Sequence, residues 1–328
     1  MLVLTACVSE PSGRHGDIDT EGIDVDIRLR RLDSIMYETP TDQLPEAMTQ
    51  FRRRDSLMFE LYVGRILGLP LQRWRQGVQR WASNASMNTL YEDVDSAYQD
   101  LSPLEQQLEA AFARHVYFFP DDTVPRFYSI LTATYQVVTY PQTVGISLDM
   151  FLGKDYRFYP SMGYPDYKII RFQRPYIMPN VMKAWFGQRF PEERYTDRKL
   201  LSQMIYQGKA LAYAEAMLPD AADSLLLEYT GAQMEWCRLH EAQIWTHFIE
   251  NDLLYVSTPQ TIDKYMADGP FTVASGIPQK SAPRLGAYIG WRIIRSYLEQ
   301  DPGRKLVDLL QNQDYRQILS QSRYKPSS

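Results

Sequence analysis

The stretch VGISLDMFL, residues 144–152, decides the fold class because it has the period of a β-strand. Its even-numbered residues are all apolar, whereas Gly145, Ser147 and Asp149 between them are small or polar. Successive side chains of a strand point to opposite faces of a sheet, so one face of this segment would be buried. The pattern predicts a half-buried strand over the whole stretch.

Two other stretches have strand character. In DVDIRLR, residues 24–30, Val25, Ile27 and Leu29 alternate with charged residues. Residues 126–139 are dense in Tyr, Thr, Val and Ile, which are residue types that strands favour. Together with the first stretch, they predict a small mixed sheet.

Most of the remaining chain has the apolar spacing of helices, with prolines between the segments. The fold class predicted is therefore α+β, mainly α-helical with a small mixed sheet. Since no linker-like segment interrupts residues 24–320, we expect one domain there and a flexible tail over residues 321–328. The predicted helices cover residues 43–53, 59–67, 72–81, 103–118, 175–186, 198–217, 231–254, 283–299 and 303–319.

The composition argues against several classes of protein. The chain has 328 residues and a net charge of −5, so it lacks the basic excess with which proteins bind nucleic acid. It contains no apolar run of about 18 residues that could cross a membrane as a helix. Aromatic residues make up 13% of the chain and include 23 tyrosines. This content favours an aromatic interior or an aromatic binding surface.

The N-terminal residues match the lipobox of bacterial lipoproteins. Leu4, Thr5 and Ala6 precede Cys7, the residue that would carry the lipid. Several acyl chains on one cysteine hold a protein at a membrane without a spanning helix. Fewer residues precede Cys7 than a complete signal needs, so we expect an upstream start codon or a trimmed sequence.

This N-terminus also predicts a location. Residues 1–7 would be a signal remnant, and residues 8–23, which are polar and contain three glycines, would be a linker. Because no acidic run follows Cys7, we expect a lipid-anchored, periplasm-facing position in the cell envelope. The alternative is an ordinary buried cysteine near the terminus.

HEAQIWTHFIEN, residues 240–251, matches the first two residues of the zinc motif HExxH. That motif works because two histidines one helical turn apart reach the same Zn²⁺ ion. Here Ile244 occupies the place of the second histidine, and His247 would lie about 10.5 Å from His240 along a continuous helix. The spacing argues against a zinc site, and His240 and His247 stay secondary candidates that would need a carboxylate from elsewhere. No cofactor motif occurs, so no cofactor is expected.

Five stretches in register carry a resemblance to a known family. Over about residues 24–320 the chain resembles the GldB family of gliding-motility lipoproteins, and the lipobox fits that family. The resemblance implies a supporting role in gliding and type IX secretion, with membrane attachment through the lipid anchor and envelope proteins of that machinery as partners. The stretches are HVYFFPDDTVPRFYS, VGISLDMFLGKDYRFYP, MIYQGKALAYAEAMLPD, EAQIWTHFIENDLLYVSTP and GAYIGWRIIRSYLEQDP.

The GldB family is in turn similar to zinc peptidases of the zincin kind. In those enzymes a strand like VGISLDMFL edges the active cleft, and a nearby helix carries HExxH. The matching helix here is YIMPNVMKAWF, residues 176–186, which holds neither histidine nor glutamate. Gln207 stands before Gly208, where the peptidases have an acidic residue. The resemblance therefore implies a zincin-like single domain without the metal motif, which would be a pseudoenzyme.

A cleft that lacks its metal can still bind an extended peptide by strand addition. The aromatic loop GKDYRFYPSMGYPDY, residues 153–167, would supply anchors for such a peptide. The alternative is that these rings only pack over the sheet. The candidate cleft residues are Asp149, Tyr156, Tyr164, Tyr167, Lys209, Arg284 and Arg295.

The expected function is that of a non-catalytic scaffold or a component that binds a peptide or protein. Two alternatives stay open: a metal-dependent hydrolase that uses His240 and His247, and a periplasmic binder of a small molecule or glycan. Gly286 and Gly290 lie one turn apart and predict a close contact between two helices. Cys237 has apolar neighbours, so we expect it to be buried and unreactive.

Overall fold

The structure is a computed structural model that describes residues 18–192 and 197–326. Its sheet has four strands: β1 (Leu29–Arg31), β2 (Arg126–Ile130), β3 (Val137–Tyr140) and β4 (Thr143–Ser147). Their spatial order is β1-β2-β4-β3. β1, β2 and β4 run parallel, and β3 runs antiparallel to β4. The predicted small mixed sheet is thus confirmed.

The strand predicted over residues 144–152 is only half that long. β4 ends at Ser147, and Leu148–Phe151 forms a 3₁₀ turn whose residues are all buried. β4 pairs with β2 on one side and with β3 on the other. β4 is therefore an inner strand of the sheet, and β3 forms the edge on that side.

The alternation predicted for residues 24–30 is confirmed. Ile27 and Leu29 are buried, whereas the charged residues between them are exposed. Backbone pairing with β2 starts only at Leu29, so most of this stretch is extended without being part of the sheet. The side-chain pattern reflects burial, which does not require a pairing partner.

Helices make up most of the described chain, as the sequence predicted. None of the helices in the described ranges is both long and apolar enough to cross a membrane. A π-helix covers Glu60–Ile66, where an α-helix was predicted. The α-helices are α1 (Leu32–Glu38), α2 (Leu44–Arg54), α3 (Ser56–Phe59), α4 (Trp74–Ala82), α5 (Ala85–Ala97), α6 (Ser102–Phe118), α7 (Asp166–Ile169), α8 (Ile177–Arg189), α9 (Leu200–Met217), α10 (Asp223–Leu227), α11 (Gly231–Leu239), α12 (Glu241–Glu250), α13 (Pro259–Met266), α14 (Leu285–Glu299), α15 (Leu306–Gln311) and α16 (Tyr315–Ser322).

Five helices, α1, α5, α7, α10 and α13, lie outside the predicted segments, and two predicted helices are broken. α1 follows β1 directly, and α5 was not predicted although its apolar residues have helical spacing and Asn84 caps it by accepting a hydrogen bond from Met87 N at 3.1 Å. The helix predicted over residues 231–254 breaks at His240, between α11 and α12. The one predicted over residues 303–319 is divided into α15 and α16.

The sheet separates two hydrophobic cores. Tyr128 and Ile130 of β2 point into the smaller core, which α1 to α4 cover. Phe127 of β2 and Val144 of β4 point into the larger core, which contains α9 and α14. Since neighbouring strand residues point to opposite faces, one short strand contributes to both cores.

The larger core is organised around α9, in which every residue except Gln203 and Gln207 is buried. α14 crosses α9 at Gly290 and Gly208, and a Cβ atom at Gly208 would lie 2.4 Å from the Gly290 carbonyl oxygen. The predicted close helix contact is therefore confirmed. Cys237 is buried, as predicted, and burial raises the pKa of its thiol.

Candidate functional site

Buried carboxylates lie at the carboxyl ends of two parallel strands. Asp33 comes two residues after β1, and Asp149 comes two residues after β4; they are 0% and 1% exposed. Asp33 accepts hydrogen bonds from Arg31 Nε at 3.0 Å and from Ser129 Oγ. Ligands of open sheets bind at this edge of parallel strands, so this edge is a candidate functional site.

The carboxylate of Asp149 fixes the turn that leads into β3. It accepts hydrogen bonds from Ser147 Oγ at 2.7 Å, from Ala133 N at 2.8 Å and from Thr132 N at 3.4 Å. Ala133 has a φ of +55°, a left-handed conformation that side chains disfavour. Burial raises the pKa of Asp149 to about 6, although these hydrogen bonds lower it. The turn is therefore held in one strained geometry by a buried acid.

Six tyrosines surround Asp149. Burial raises the pKa of each phenol, and the charge of Asp149 raises it further, so the hydroxyls stay protonated and can act as donors. Tyr159 donates to the Asp149 carbonyl at 2.7 Å, and Tyr164 donates to the Ala133 carbonyl at 2.9 Å. These bonds hold the backbone around the acid in place. The six are Tyr37, Tyr62, Tyr98, Tyr156, Tyr159 and Tyr164.

This arrangement positions backbone segments more than it offers reacting groups. Asp149 is enclosed and already accepts three hydrogen bonds. Among the described residues, Tyr37 Oη is the buried hydroxyl near Asp149 that has no hydrogen-bond partner. A general base needs a substrate proton within hydrogen-bond reach, and the contacts of Asp149 are instead occupied by its own loop.

The candidate cleft residues fall into four separate places. Asp149, Tyr156 and Tyr164 lie together, and Tyr156 donates to Asp93 at 2.8 Å. Lys209 donates to the Asn312 carbonyl, and it is 3% exposed. Tyr167 and Arg284 lie at a charge network around Glu228, and Arg295 belongs to another network. The sequence pattern did not separate these four places.

Tyr167 and Arg284 lie near a buried charge network around Glu228. Arg171 Nη1 contacts the Glu228 carboxylate at 2.9 Å, Arg284 Nη2 contacts it at 3.4 Å, and Lys183 donates to it as well. Burial would raise the pKa of Glu228, but the three cations outweigh burial and lower it to about 2. Arg171 also stacks over the Tyr167 ring at 5.9 Å.

Arg295 forms a second network with Glu215 and Asp223. Its guanidinium contacts Glu215 at 2.8 Å and Asp223 at 2.5 Å. Arg295 and Arg284 thus contact carboxylates other than Asp149. Tyr324, which lies in the tail predicted to be flexible, donates to Glu241 of α12 at 2.9 Å.

The two metal candidates are held by neighbouring side chains. His240 Nδ1 lies 2.8 Å from the Trp236 carbonyl, and its ring stacks on Trp236. His247 Nε2 lies 2.9 Å from Tyr265 Oη. The prediction that both histidines lie on one helix is wrong. α11 ends at Leu239 and α12 begins at Glu241, so His240 lies between the two helices. Within the described residues, no three His, Cys, Asp or Glu side chains converge on one point. Cys7 lies outside the described residues.

Tyr135 was not a candidate residue in the sequence, yet it is an aromatic residue of this site that is exposed to solvent. It lies in the turn fixed by Asp149, and it is 51% exposed. Tyr135 N donates to Thr132 Oγ1 at 2.9 Å, and Tyr164 Oη contacts the carbonyls of the same turn. Met162, two residues before Tyr164 on the aromatic loop, is also exposed. An exposed aromatic at a rigid turn is typical of a binding anchor.

A comparison with protein families finds a match over nearly the whole chain. The family model described as "Gliding motility protein GldB" matches residues 14–326. The comparisons with curated proteins and with solved structures gave no match. The match extends beyond the residues 24–320 that carry the sequence resemblance.

Proposed function

This chain belongs to the GldB family of gliding motility lipoproteins, and we propose that it acts there without catalysis, by binding an extended segment of a partner protein along β3. The observation that carries the proposal is Tyr135, a half-exposed ring at the start of this edge strand. The partner is a protein of the gliding machinery in the cell envelope.

The edge strand supports this mode of binding. Among the described strands, β3 pairs only with β4. We propose that the partner segment pairs with the other side of β3. Main-chain hydrogen bonds to an edge strand give affinity that depends little on the partner's sequence. Tyr135 would add specificity, because an aromatic side chain fits a pocket of defined shape.

The Asp149 site supports the proposal through rigidity. A loop that is already ordered loses little entropy when a partner binds. The hydrogen bonds that Asp149 accepts, and those that Tyr159 and Tyr164 donate, order the turn before binding. Buried Asp149 thus helps to order the turn that exposes Tyr135.

Further parts of the proposal rest on the sequence resemblance. We place the protein in the type IX secretion and gliding machinery, on the periplasmic side of a membrane, with Cys7 as its lipid anchor. A zincin-like scaffold without catalytic ligands is consistent with α8, which holds neither histidine nor glutamate. It has no support from a related solved structure.

Site-specific photocrosslinking in cells tests the proposal. A photoreactive phenylalanine replaces Tyr135, and the control replaces Tyr255, which is also 51% exposed but lies elsewhere on the chain. We expect a discrete adduct from position 135, identified by mass spectrometry as a segment of another envelope protein, and none from position 255. Equal adducts at both positions, or none at 135, would exclude the surface around Tyr135 as the binding site.

A further inference from the structure

A cavity of about 400 Å³ opens where the end of α2 meets one face of β1 and β2. Three arginines line it, and each comes from a different element: Arg30 from β1, Arg54 from α2 and Arg126 from β2. Its floor is apolar and aromatic, with Leu32, Phe51 and Tyr128. We refer to it as the Arg30 cavity.

One buried carboxylate is connected to two of these arginines, to one directly and to the other through a tyrosine hydroxyl. Asp55, whose side chain is 1% exposed, contacts Arg126 Nε at 3.1 Å. It also accepts the hydroxyl proton of Tyr128 at 2.6 Å, and Arg30 in turn donates to that hydroxyl at 3.4 Å. Arg30 also lies over the Tyr128 ring, at 5.6 Å from its centroid. The chain from Arg30 to Asp55 thus fixes both strand arginines on one side of the cavity.

Positive charge in the cavity exceeds negative charge. In the described chain, neither Arg30 nor Arg54 has a salt bridge to a carboxylate, and Arg54 is exposed at the rim. The whole protein carries a net charge of −5, so this local excess runs against its overall charge. A helix C-terminus favours nearby cations and accounts for Arg54 at the end of α2. It does not account for Arg30 and Arg126, which are on strands.

The lining selects a class of ligand. Guanidinium groups bind phosphate oxygens with paired hydrogen bonds, and three of them around one mouth suit a group with several anionic oxygens. A volume of about 400 Å³ is in the range of sites for small organic ligands. A bare phosphate would leave the apolar floor in contact with water.

We propose that the Arg30 cavity binds an amphiphilic phosphate ester. Arg30, Arg54 and Arg126 would hold the phosphate, and the apolar part of the ligand would cover Phe51 and Leu32. A membrane phospholipid and a soluble organic phosphate share this chemistry. The site is independent of the partner surface around Tyr135.

Calorimetric titration of the full chain tests the site. The probes are a short-chain phosphatidylglycerol below its micelle concentration, hexyl phosphate and inorganic phosphate. The variant is Arg54→Gln, and the matched control is Arg53→Gln, which removes the same charge from the neighbouring exposed position outside the cavity lining. We expect saturable binding of at least one ester, weakened about tenfold or more by Arg54→Gln because a charged hydrogen bond is lost. Arg53→Gln should leave it unchanged.

Vesicle sedimentation then separates the two sources. Phosphatidylglycerol vesicles that sediment wild type but not Arg54→Gln would identify a membrane lipid as the ligand. Binding of hexyl phosphate without vesicle binding would identify a soluble ester. Three results would overturn the proposal: no saturable binding of either ester, equal weakening by Arg53→Gln, or inorganic phosphate that binds as tightly as the esters.

Discussion

Gly290 of α14 lies directly against the backbone of Met204 on α9. A Cβ atom added at Gly290 would stand 1.8 Å from the Met204 carbonyl oxygen and 3.0 Å from its Cα. Gly208, four residues after Met204 on α9, lies against the Gly290 backbone in the same way. The closest helix contact in the larger core therefore depends on two positions that have no side chain.

We predict that Gly290→Ala destabilises the protein by about 3 kcal/mol or more, because backbone atoms cannot move aside as a flexible side chain can. Chemical denaturation gives the free energy of unfolding. The matched control is Gly187→Ala on α8, where an added Cβ would meet no described atom within 4 Å. That change should stabilise the protein by about 0.5–1 kcal/mol, since alanine is the better helix former. A Gly290→Ala variant as stable as wild type would contradict the close crossing.

The features predicted correctly from sequence are those that local spacing determines. The four-residue spacing of Gly286 and Gly290 indicated the close helix contact, and the alternation around Ile27 indicated a buried face. Both depend only on the period of the element.

The features that sequence missed depend on distant partners. Whether β4 is central or at an edge depends on β2 and β3, which spacing within β4 cannot specify. The pairing of Arg171 with Glu228 spans 57 residues, and nothing near Arg171 in the sequence indicates it. Tyr135 was overlooked because its exposure results from the turn that Asp149 fixes, and not from its own neighbours.

The charge network around Glu228 gives a second prediction. Glu228→Gln should destabilise the protein by about 3–5 kcal/mol, because Lys183 and Arg284 would be left without their shared buried carboxylate. Denaturation measures the loss. The matched control is Asp155→Asn, which removes a carboxylate whose ion pair with Lys154 is exposed to solvent. Exposed pairs contribute little, so this variant should unfold like wild type. Equal effects of the two changes would show that the Glu228 network does not stabilise the fold.

His115 gives a prediction about pH. It is fully buried, with Nδ1 at 2.9 Å from Tyr213 Oη and Nε2 at 3.5 Å from both Trp185 Nε1 and an Asp122 oxygen. Burial lowers the pKa of His115 to about 4, although Asp122 opposes this shift. The unfolded chain therefore binds a proton first as the pH falls. The stability that neutral His115 contributes is complete above about pH 6.5 and is lost as the pH falls towards 4.

The expected loss over this range is at most about 3 kcal/mol. His115→Gln should remove it, so that stability falls less steeply than in wild type between pH 6.5 and 4. Urea titrations at several pH values measure the two slopes. Asp149 acts in the opposite direction in both proteins, so the comparison depends on the difference between the curves. Parallel curves would contradict a neutral, buried His115.

Asp149 itself carries the last prediction, because it connects the buried site to the proposed binding surface. Its pKa in the folded protein, about 6, lies above its ordinary value. Its contribution to stability is thus present below about pH 4 and is lost as the pH rises through 6. Despite this cost, the carboxylate accepts bonds from Thr132 N and Ala133 N. An asparagine can offer only one acceptor oxygen to these amides and to Ser147.

Asp149→Asn should therefore lower stability by about 1–3 kcal/mol, the cost of an unsatisfied buried donor. It should also speed hydrogen exchange at Thr132 and Ala133. The matched control is Asp93→Asn, which removes the charge of the carboxylate that accepts the Tyr156 hydroxyl, without touching the turn. Exchange at these two amides should then stay slow, and crosslinking from position 135 should persist in Asp93→Asn but weaken in Asp149→Asn. If the turn exchanges alike in both variants, Asp149 does not order the surface that presents Tyr135.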